Sequence, residues 1–319
     1  MIVISLLFVL LIISSIRFKA GASSWLAPDD TAALKGLLAI GVMFSHMSSK
    51  VNNPVNLFSG AACVGTFFFF SGYSLGWCSI NKTSFWNDFW KRRFVKVLLP
   101  YLCFLFICIF YYFLLHKNLF DDILLPVVVG NPISNSWYVW VILFCYISFW
   151  LCFRNVELKP RWRKHRFYCL FLIFVCYIIV ISKFTNWPDW WYKTCELFPL
   201  GVLVGLHKDY FEKSVKRFFP LYLLVSILFV VFAYLSPAII NRIALISPVF
   251  EHLVGFKWLI NDFLMGLSVP LLVITISLRL QFQNPITHWL GIYSYEIYLV
   301  HGEIFRLYPP PPRGYWLVR

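Results

Sequence analysis

The sequence has little charge. Only 13% of its 319 residues are aspartate, glutamate, lysine or arginine, while 60% are hydrophobic and 20% aromatic. A typical soluble domain carries about twice that share of charged residues, so the composition excludes one. It predicts an all-α integral membrane protein, a polytopic bundle of transmembrane helices.

The sequence also lacks cysteine pairs with metal-ligand spacing. Its nine cysteines contain no Cys-x-x-Cys pair and lie almost wholly within apolar runs. In such runs cysteine is a small packing residue. The cysteines therefore predict no metal site, and we also expect no bound cofactor.

No charged residue precedes the first apolar run, Ile2–Ile16, whereas Arg17 and Lys19 follow it. A secretory signal peptide has the opposite order. The order predicts that residues 1–16 form an extra N-terminal transmembrane helix, which starts outside and ends on the cytoplasmic side.

Further apolar runs, long enough or nearly long enough to span a bilayer, recur with short polar breaks. Six of them carry no charge: Leu57–Ser79, Val97–Leu115, Asn135–Phe153, Phe167–Ser182, Phe218–Asn241 and Phe263–Leu278. Three more contain a polar or ionisable residue: Ala32–Met47, Cys195–Leu206 and Trp289–Val300. With the N-terminal run they predict about ten transmembrane helices, the last nine in a membrane domain over residues 32–302.

The basic residues support this topology. If the N-terminus is outside and the helices alternate, most of the 28 lysines and arginines fall in inner segments, as in other membrane proteins. The net charge of +14 then needs the lipid bilayer as a partner and no nucleic acid.

The tail, residues 303–319, does not fit. It would lie outside, yet it carries three arginines and four prolines that cannot continue a helix. We expect the chain to be truncated by one helix relative to a complete bundle.

Lys35 and His46 bracket ten residues without a charge in the run Ala32–Met47. Eleven helical steps bring the two side chains within about 20° of one face and about 16 Å apart along the axis. Lys35 lies toward the cytoplasm and either snorkels to the interface or binds a ligand. His46 lies beyond the bilayer midplane and is either a packing residue or part of a site, because ionisable groups within spans are costly.

Two later stretches also allow a structural and a functional interpretation. In "GTFFFFSGYSLGW", the Gly72-x-x-x-Gly76 spacing favours close helix packing. In "FWKRRFVKVLLPYL", a basic cluster precedes the next helix on the cytoplasmic side. The cluster either anchors that helix or binds a phosphorylated ligand.

These stretches resemble, in order and spacing, the acyltransferase-3 family of membrane-bound acyltransferases, which modify sugars and other acceptors on bacterial cell surfaces. The family's arginine, ten residues and histidine are matched by Lys35 and His46. Its paired phenylalanines before Ser-Gly-Phe are matched by "FFFFSGY", and its Arg-x-x-Arg by the segment Arg93–Lys96. Looser matches, "SWYVWVILFCYI", "ELFPLGVLVG" and "LGIYSYEIYLVHG", extend the resemblance to Gly302.

The resemblance implies a multi-pass enzyme of the bacterial cytoplasmic membrane. It would move an acyl group, typically acetyl, from an acyl-coenzyme A co-substrate such as acetyl-coenzyme A to a hydroxyl of a glycan or lipid-linked saccharide. His46 would remove the hydroxyl proton or form an acyl-histidine. Lys35, Arg92, Arg93 and Lys96 would bind the anionic donor, although lysine lacks the bidentate fork of the arginine that the family has at two of these positions.

Five further residues are candidates for acceptor binding or support: Ser71, Tyr73, Asp189, Glu296 and His301. The two residues of the second helix donate hydrogen bonds or simply pack. Asp189 stands beside three tryptophans that form either an interfacial belt or a stacking surface for a glycan. Glu296, within an apolar run, needs a partner, and His301 either orients the acceptor and shares the proton or ends its helix at the interface.

The competing function is a transporter or flippase for a lipid-linked sugar. Such a protein is also polytopic, with a few buried ionisable groups. It predicts broken helices in two related halves, and the sequence shows no internal symmetry of that kind.

Overall fold

The computed structural model of the chain describes residues 2–19, 25–51, 59–115, 135–154, 163–246, 254–282 and 284–307. These residues are helical almost throughout, which confirms the all-α prediction. The proline run of the predicted tail lies outside the described residues.

The described helices are numbered in chain order. They are α1 (Ile2–Ser15), α2 (Pro28–Val51), α3 (Gly60–Asn81), α4 (Phe89–Arg93), α5 (Leu99–Leu114), α6 (Ser136–Phe153), α7 (Arg163–Phe184), α8 (Leu197–Leu206), α9 (Lys208–Arg217), α10 (Phe219–Ile246), α11 (Val254–Ile276), α12 (Pro285–Ile292) and α13 (Ser294–Leu307). A π-helical segment, Phe94–Leu98, joins α4 to α5, and Asp189–Trp191 forms a 3-10 turn. Two short strands, β1 (Ile16–Phe18) and β2 (Leu280–Phe282), pair antiparallel.

Five stretches of the described chain are helical, long and apolar enough to cross a bilayer: Gly60–Asn81, Phe89–Leu114, Ser136–Phe153, Arg163–Phe184 and Phe219–Ile239. Three apolar helical stretches are shorter: Leu6–Ser15, Leu197–Leu206 and Asn261–Ile276. Helix α2 has 24 residues but is not among these stretches. A multi-span membrane bundle is supported, and the predicted number of ten transmembrane helices is not confirmed.

The last predicted span differs from the structure. Residues 289–300 do not form one helix, because α12 ends at Ile292 and α13 begins at Ser294. Helix α12 is held close to α2, since a Cβ atom at Gly291 would lie only 1.9 Å from the carbonyl oxygen of Ala32. Helix α13 continues to Leu307, so the boundary expected after Gly302 falls inside a helix.

The described chain divides into two compact units. The first contains Met1–Val42, Phe58–Trp77 and Lys193–Ile292, and the second contains Met43–Leu57, Cys78–Tyr192 and Tyr293–Arg319. Helix α2 contributes its N-terminal part to the first unit and its C-terminal part to the second.

One end of the first unit collects basic residues that the topology assigns to the cytoplasmic side. Strand β1 pairs with β2, and the backbone N–H of Lys19 donates to the carbonyl of Arg279 at 2.8 Å. The Lys19 ammonium lies 3.2 Å from a carboxylate oxygen of Asp30. The segments after α1 and α11 therefore lie at the same end, as alternating spans require.

The central contact of the first unit joins α3 to α8 through glycines on both helices. A Cβ atom at Gly72 would lie 2.1 Å from the carbonyl oxygen of Phe198, and one at Gly201 would lie 1.9 Å from that of Phe69. Gly76 and Gly205 repeat the arrangement one turn further on. The predicted packing role of the Gly72-x-x-x-Gly76 spacing is confirmed, because only glycines let the two backbones approach this closely.

The second unit has an aromatic core at its basic end. The Phe149 ring stacks on Trp86 at 5.8 Å and on Phe153 at 4.9 Å, and Phe85 meets Phe149 edge-on at 6.5 Å. Offset and edge-on aromatic pairs add about 1 kcal/mol each to the free energy of burial. This core fixes the loop before α4, and α4 carries the basic cluster.

Candidate active site

Two histidines from distant parts of the chain meet in the second unit. The Nδ1 atom of His46, on α2, lies 3.2 Å from the Nε2 atom of His301, on α13, and the ring centroids are 5.1 Å apart. His301 is buried with 2% of its surface exposed, and His46 is half-buried. Two of the residues singled out in the sequence therefore form one site, although 255 positions separate them.

The surroundings hold His301 in a defined orientation. Its Nδ1 atom lies 3.2 Å from the carbonyl oxygen of Ile297, one turn earlier in α13. The side-chain nitrogen of Asn135 lies 3.4 Å from its Nε2 atom and donates to the carbonyl of Tyr298 at 3.2 Å. The rings of Tyr298 and Phe305 meet the imidazole edge-on.

Asn135 is a residue that the sequence did not single out. It precedes α6 with a φ of 66°, the left-handed backbone region that asparagine tolerates better than most residues. From this position its amide reaches α13. The only sequence signal is its place before an apolar run, where asparagine usually caps a helix, and here it makes no cap hydrogen bond.

The predicted donor-binding residues of the second unit lie on two different faces of one helical segment. Lys91, Arg92 and Lys96, with Asp88 and Val95, line a surface groove of about 250 Å³. Their spacing of three and four residues places them on one side. Arg92 is paired with Asp88 at 3.2 Å, and such exposed pairs contribute little to stability.

Arg93 does not line that groove. Its guanidinium carbon lies 5.0 Å from the centre of the Tyr146 ring and 5.3 Å from that of Phe89. Its Nε atom is buried and has no hydrogen-bond partner among the described residues. A role for Arg93 in donor binding stays a prediction, and its cation–π contacts also stabilise the start of α4.

Lys35 lies on the same helix as His46, as predicted, but in the part that belongs to the first unit. It is half-buried. Its neighbour Gly36 packs against α12, where a Cβ atom would lie 2.5 Å from the carbonyl oxygen of Thr287. This packing fixes the rotation of α2 around its own axis at Lys35.

Ser71 and Tyr73 lie in the glycine-packed part of α3, in the first unit. Tyr73 is 6% exposed, and its carbonyl oxygen would lie 2.3 Å from a Cβ atom at Gly205. The backbone of Tyr73 thus belongs to the helix contact. Hydrogen bonding of either residue to a substrate stays a prediction.

Two further candidates lie in the second unit without a described contact to the histidines. Asp189 is exposed at the start of a 3-10 turn in which Trp191 is buried, while Trp187 and Trp190 are exposed. Glu296 stands in the first turn of α13, and its Oε2 atom is buried without a hydrogen-bond partner in the described structure. The partner expected for this oxygen is therefore not found there.

A second polar cluster, not predicted from the sequence, lies on α13. The Tyr112 hydroxyl donates to Glu303 at 2.9 Å, and Arg306 contacts both residues. Glu303 is 3% exposed and borders a largely apolar cavity of about 240 Å³ between α5 and α13. The Glu-x-x-Arg spacing is the sequence signal, which the assignment of residues 303–319 to a tail obscured.

The described residues contain no group of three histidine, cysteine, aspartate or glutamate side chains that could hold a metal ion. The chemistry available at the histidine pair is proton transfer or nucleophilic attack by a ring nitrogen. Both reactions are steps of group transfer, so the histidine pair is a candidate site for it.

Comparison with known families agrees with that class. Residues 31–309 match the family model of the acyltransferase domain, acyltransferase-3, and the chain belongs to this family. Searches of curated proteins and of solved structures gave no match.

Proposed function

We propose that this membrane acyltransferase moves an acetyl group from acetyl-coenzyme A to a hydroxyl of a cell-surface or exported glycan, in the cytoplasmic membrane of a bacterium. The acyltransferase class follows from the family. The observation that supports the catalytic step is the close pair of His46 and His301, because an imidazole can accept a hydroxyl proton during attack and then return it.

His46 is the proposed catalytic residue. A sugar hydroxyl is a weak nucleophile, and a base that removes its proton during attack on the thioester speeds the reaction by about 10² to 10⁴-fold. The same proton then leaves with the coenzyme A thiolate. Direct attack by His46 and an acyl-histidine intermediate is the other route open to the same residue.

The donor would bind through its phosphates at the basic side chains. Lys91, Arg92 and Lys96 line a groove whose only acidic residue is Asp88. The topology predicted from the sequence has this groove on the cytoplasmic side, where coenzyme A is made. Lys35 and Arg93 are the further proposed donor ligands. Arginine and lysine are the usual protein partners of phosphate groups.

A transporter or flippase for a lipid-linked sugar is the second candidate. The buried Oε2 atom of Glu296, which has no hydrogen-bond partner among the described residues, favours it, because buried acidic groups in membranes often mark transport pathways. A transport function gives no reason for two imidazoles to lie at hydrogen-bond distance, so the transporter ranks second.

The test uses a bacterium that expresses the full chain, its His46→Ala variant or a matched His207→Ala variant. His207 is exposed between α8 and α9. Proton NMR of the isolated surface glycan measures O-acetyl esters, and the amount of exported glycan is measured in parallel. We expect His46→Ala to remove the esters without changing export and His207→Ala to retain them. Unchanged esters in His46→Ala would exclude its catalytic role, and reduced export would favour the transporter.

A further inference from the structure

His301 is surrounded by groups whose hydrogen-bonding roles are fixed by their chemistry. A carbonyl oxygen, that of Ile297, faces its Nδ1 atom at 3.2 Å. A primary amide nitrogen, that of Asn135, faces its Nε2 atom at 3.4 Å. The Nδ1 atom of His46, which lies 3.2 Å from Nε2, can be either donor or acceptor.

The first of these groups determines where His301 carries its proton. A carbonyl oxygen only accepts hydrogen bonds, so the Nδ1 atom of His301 must be the protonated one. In a neutral imidazole the second nitrogen then has a lone pair. The Nε2 atom of His301 is therefore an acceptor.

Asn135 supports the same assignment independently. Its Nδ2 atom also lies 3.2 Å from the carbonyl oxygen of Tyr298, which requires a donor at that place. The same amide nitrogen then offers its second hydrogen to the Nε2 atom of His301. If Nε2 of His301 were protonated, its N–H and the amide N–H of Asn135 would face each other and neither could accept.

We propose that His301, held by Asn135 and the Ile297 carbonyl, is a positioning residue that fixes the tautomer of His46. The single lone pair on the Nε2 atom of His301 is shared by the Asn135 amide at 3.4 Å and the closer Nδ1 atom of His46 at 3.2 Å. Because Nδ1 of His46 faces an acceptor, it carries the proton, and the lone pair of His46 lies on its Nε2 atom. The catalytic consequence rests on the proposed function. The tautomer itself is a property of the resting protein and holds whatever the substrate.

With this tautomer, every proton and bond in the acyl-transfer step is accounted for. The Nε2 atom of His46 takes the hydroxyl proton while the hydroxyl oxygen bonds to the thioester carbon. The carbon–sulfur bond then breaks, and the thiolate takes that proton back from Nε2. During this cycle the Nδ1–H of His46 keeps donating to His301, which stabilises the transient imidazolium.

The first test reads the tautomer directly. The full chain, labelled with ¹⁵N in the rings of its seven histidines, is purified in detergent and measured by ¹⁵N NMR at pH 8, with His46→Gln to assign the signals of His46. We expect a protonated Nδ1 and an unprotonated Nε2. In His301→Phe, which has no acceptor, we expect His46 to populate the opposite tautomer. A Nδ1-protonated His46 in His301→Phe would overturn the proposal.

The second test separates hydrogen bonding from shape. The side chain of His301→Gln places an amide oxygen near the position of Nε2, where it can accept from both His46 and Asn135. Membrane vesicles containing each variant are supplied with acetyl-coenzyme A, and acetyl ester formation on the endogenous glycan is measured. We expect His301→Phe to lower kcat by about 100-fold with little change in the KM for acetyl-coenzyme A, and His301→Gln to restore most of it. Equal losses in both variants would contradict a positioning role.

Asn135→Gly provides a test that does not depend on filling the space of an imidazole. Glycine adopts a φ of 66° without strain, so the variant removes only the amide. We expect a mixture of both His46 tautomers in the ¹⁵N spectrum and a smaller loss of kcat than in His301→Phe. A spectrum identical to that of the unchanged protein would show that Asn135 does not hold His301. If no acyl transfer is found with any variant, the proposed function fails, while the spectra still decide the tautomer.

Discussion

The contact between α3 and α8 in the first unit and the histidine cluster in the second unit hold helices together in opposite ways. The first is a backbone-to-backbone contact in which Gly72 and Gly201 each face a carbonyl oxygen. The second depends on directional hydrogen bonds among His46, His301 and Asn135. Shape alone limits the first contact, whereas the second also needs a specific pattern of donors and acceptors. Substitutions should therefore affect folding in the first region and chemistry in the second.

The largest expected effect is the loss of the folded protein when the glycine contact is filled. In Gly201→Ala the new Cβ atom would lie 1.9 Å from the carbonyl oxygen of Phe69 and 2.9 Å from the backbone nitrogen of Tyr73. Because backbone atoms cannot move away without shifting a whole helix, we expect a loss of about 3 kcal/mol or more. Size-exclusion chromatography and thermal unfolding in detergent measure it.

Gly266→Ala is the matched control. Its new Cβ atom would meet chiefly the end of the Leu197 side chain, at 2.7 Å, which can change rotamer. We expect Gly266→Ala to keep most of the thermal stability. Similar losses for Gly201→Ala and Gly266→Ala would show that volume, and not backbone approach, limits this unit.

These two regions also differ in how far the sequence could predict them. The Gly72-x-x-x-Gly76 spacing lies within one helix, so its packing role follows from local periodicity. The meeting of His46 with His301 and Asn135 joins three segments far apart in the chain, and no local pattern pairs them. Local spacing placed Lys35 and His46 on one helix correctly. It missed the break at Tyr293 between α12 and α13, because the run Trp289–Val300 contains no proline that would mark it.

The basic groove is intermediate between the glycine contact and the histidine cluster. Its proposed binding of the donor depends on charge, and its exposed side chains can change without a clash. Lys91 and Lys96 are exposed, so their replacement should leave the fold unchanged. For Lys96→Glu we expect the KM for acetyl-coenzyme A to rise by about 10-fold, equivalent to about 1.4 kcal/mol, with kcat nearly constant. Acetyl ester formation in membrane vesicles at several donor concentrations gives both constants.

Lys213→Glu is the control for this charge reversal. Lys213 is exposed on α9 and, like Lys96, belongs to an inner segment of the predicted topology. An equal rise of KM in both variants would point to a general membrane-surface charge effect and against a specific groove. A rise that disappears at high salt only for Lys96→Glu would agree with direct phosphate binding.

The smallest expected effect concerns the hydrogen bond that links α13 to the π-helical segment. The Tyr295 hydroxyl donates at 2.8 Å to the carbonyl oxygen of Val97, within Phe94–Leu98, where the π-helical turn shifts the usual backbone hydrogen bonds. Tyr295→Phe leaves the ring and removes only this donor. We expect a loss of about 1 kcal/mol and a melting temperature lower by about 2 °C, measured by thermal unfolding in detergent.

Tyr210→Phe, at a tyrosine that is 70% exposed, should leave the melting temperature unchanged. Tyr295 lies on the same helix as His301, so its bond also tests whether the two regions of the second unit act together. If the bond only stabilises the fold, Tyr295→Phe lowers the melting temperature and leaves kcat and KM as they are. A change in the KM for acetyl-coenzyme A at constant stability would mean that the π-helical segment, held by α13, sets the position of the basic groove. Helix α13 would then both carry the histidine that orients His46 and hold the segment that carries the basic groove.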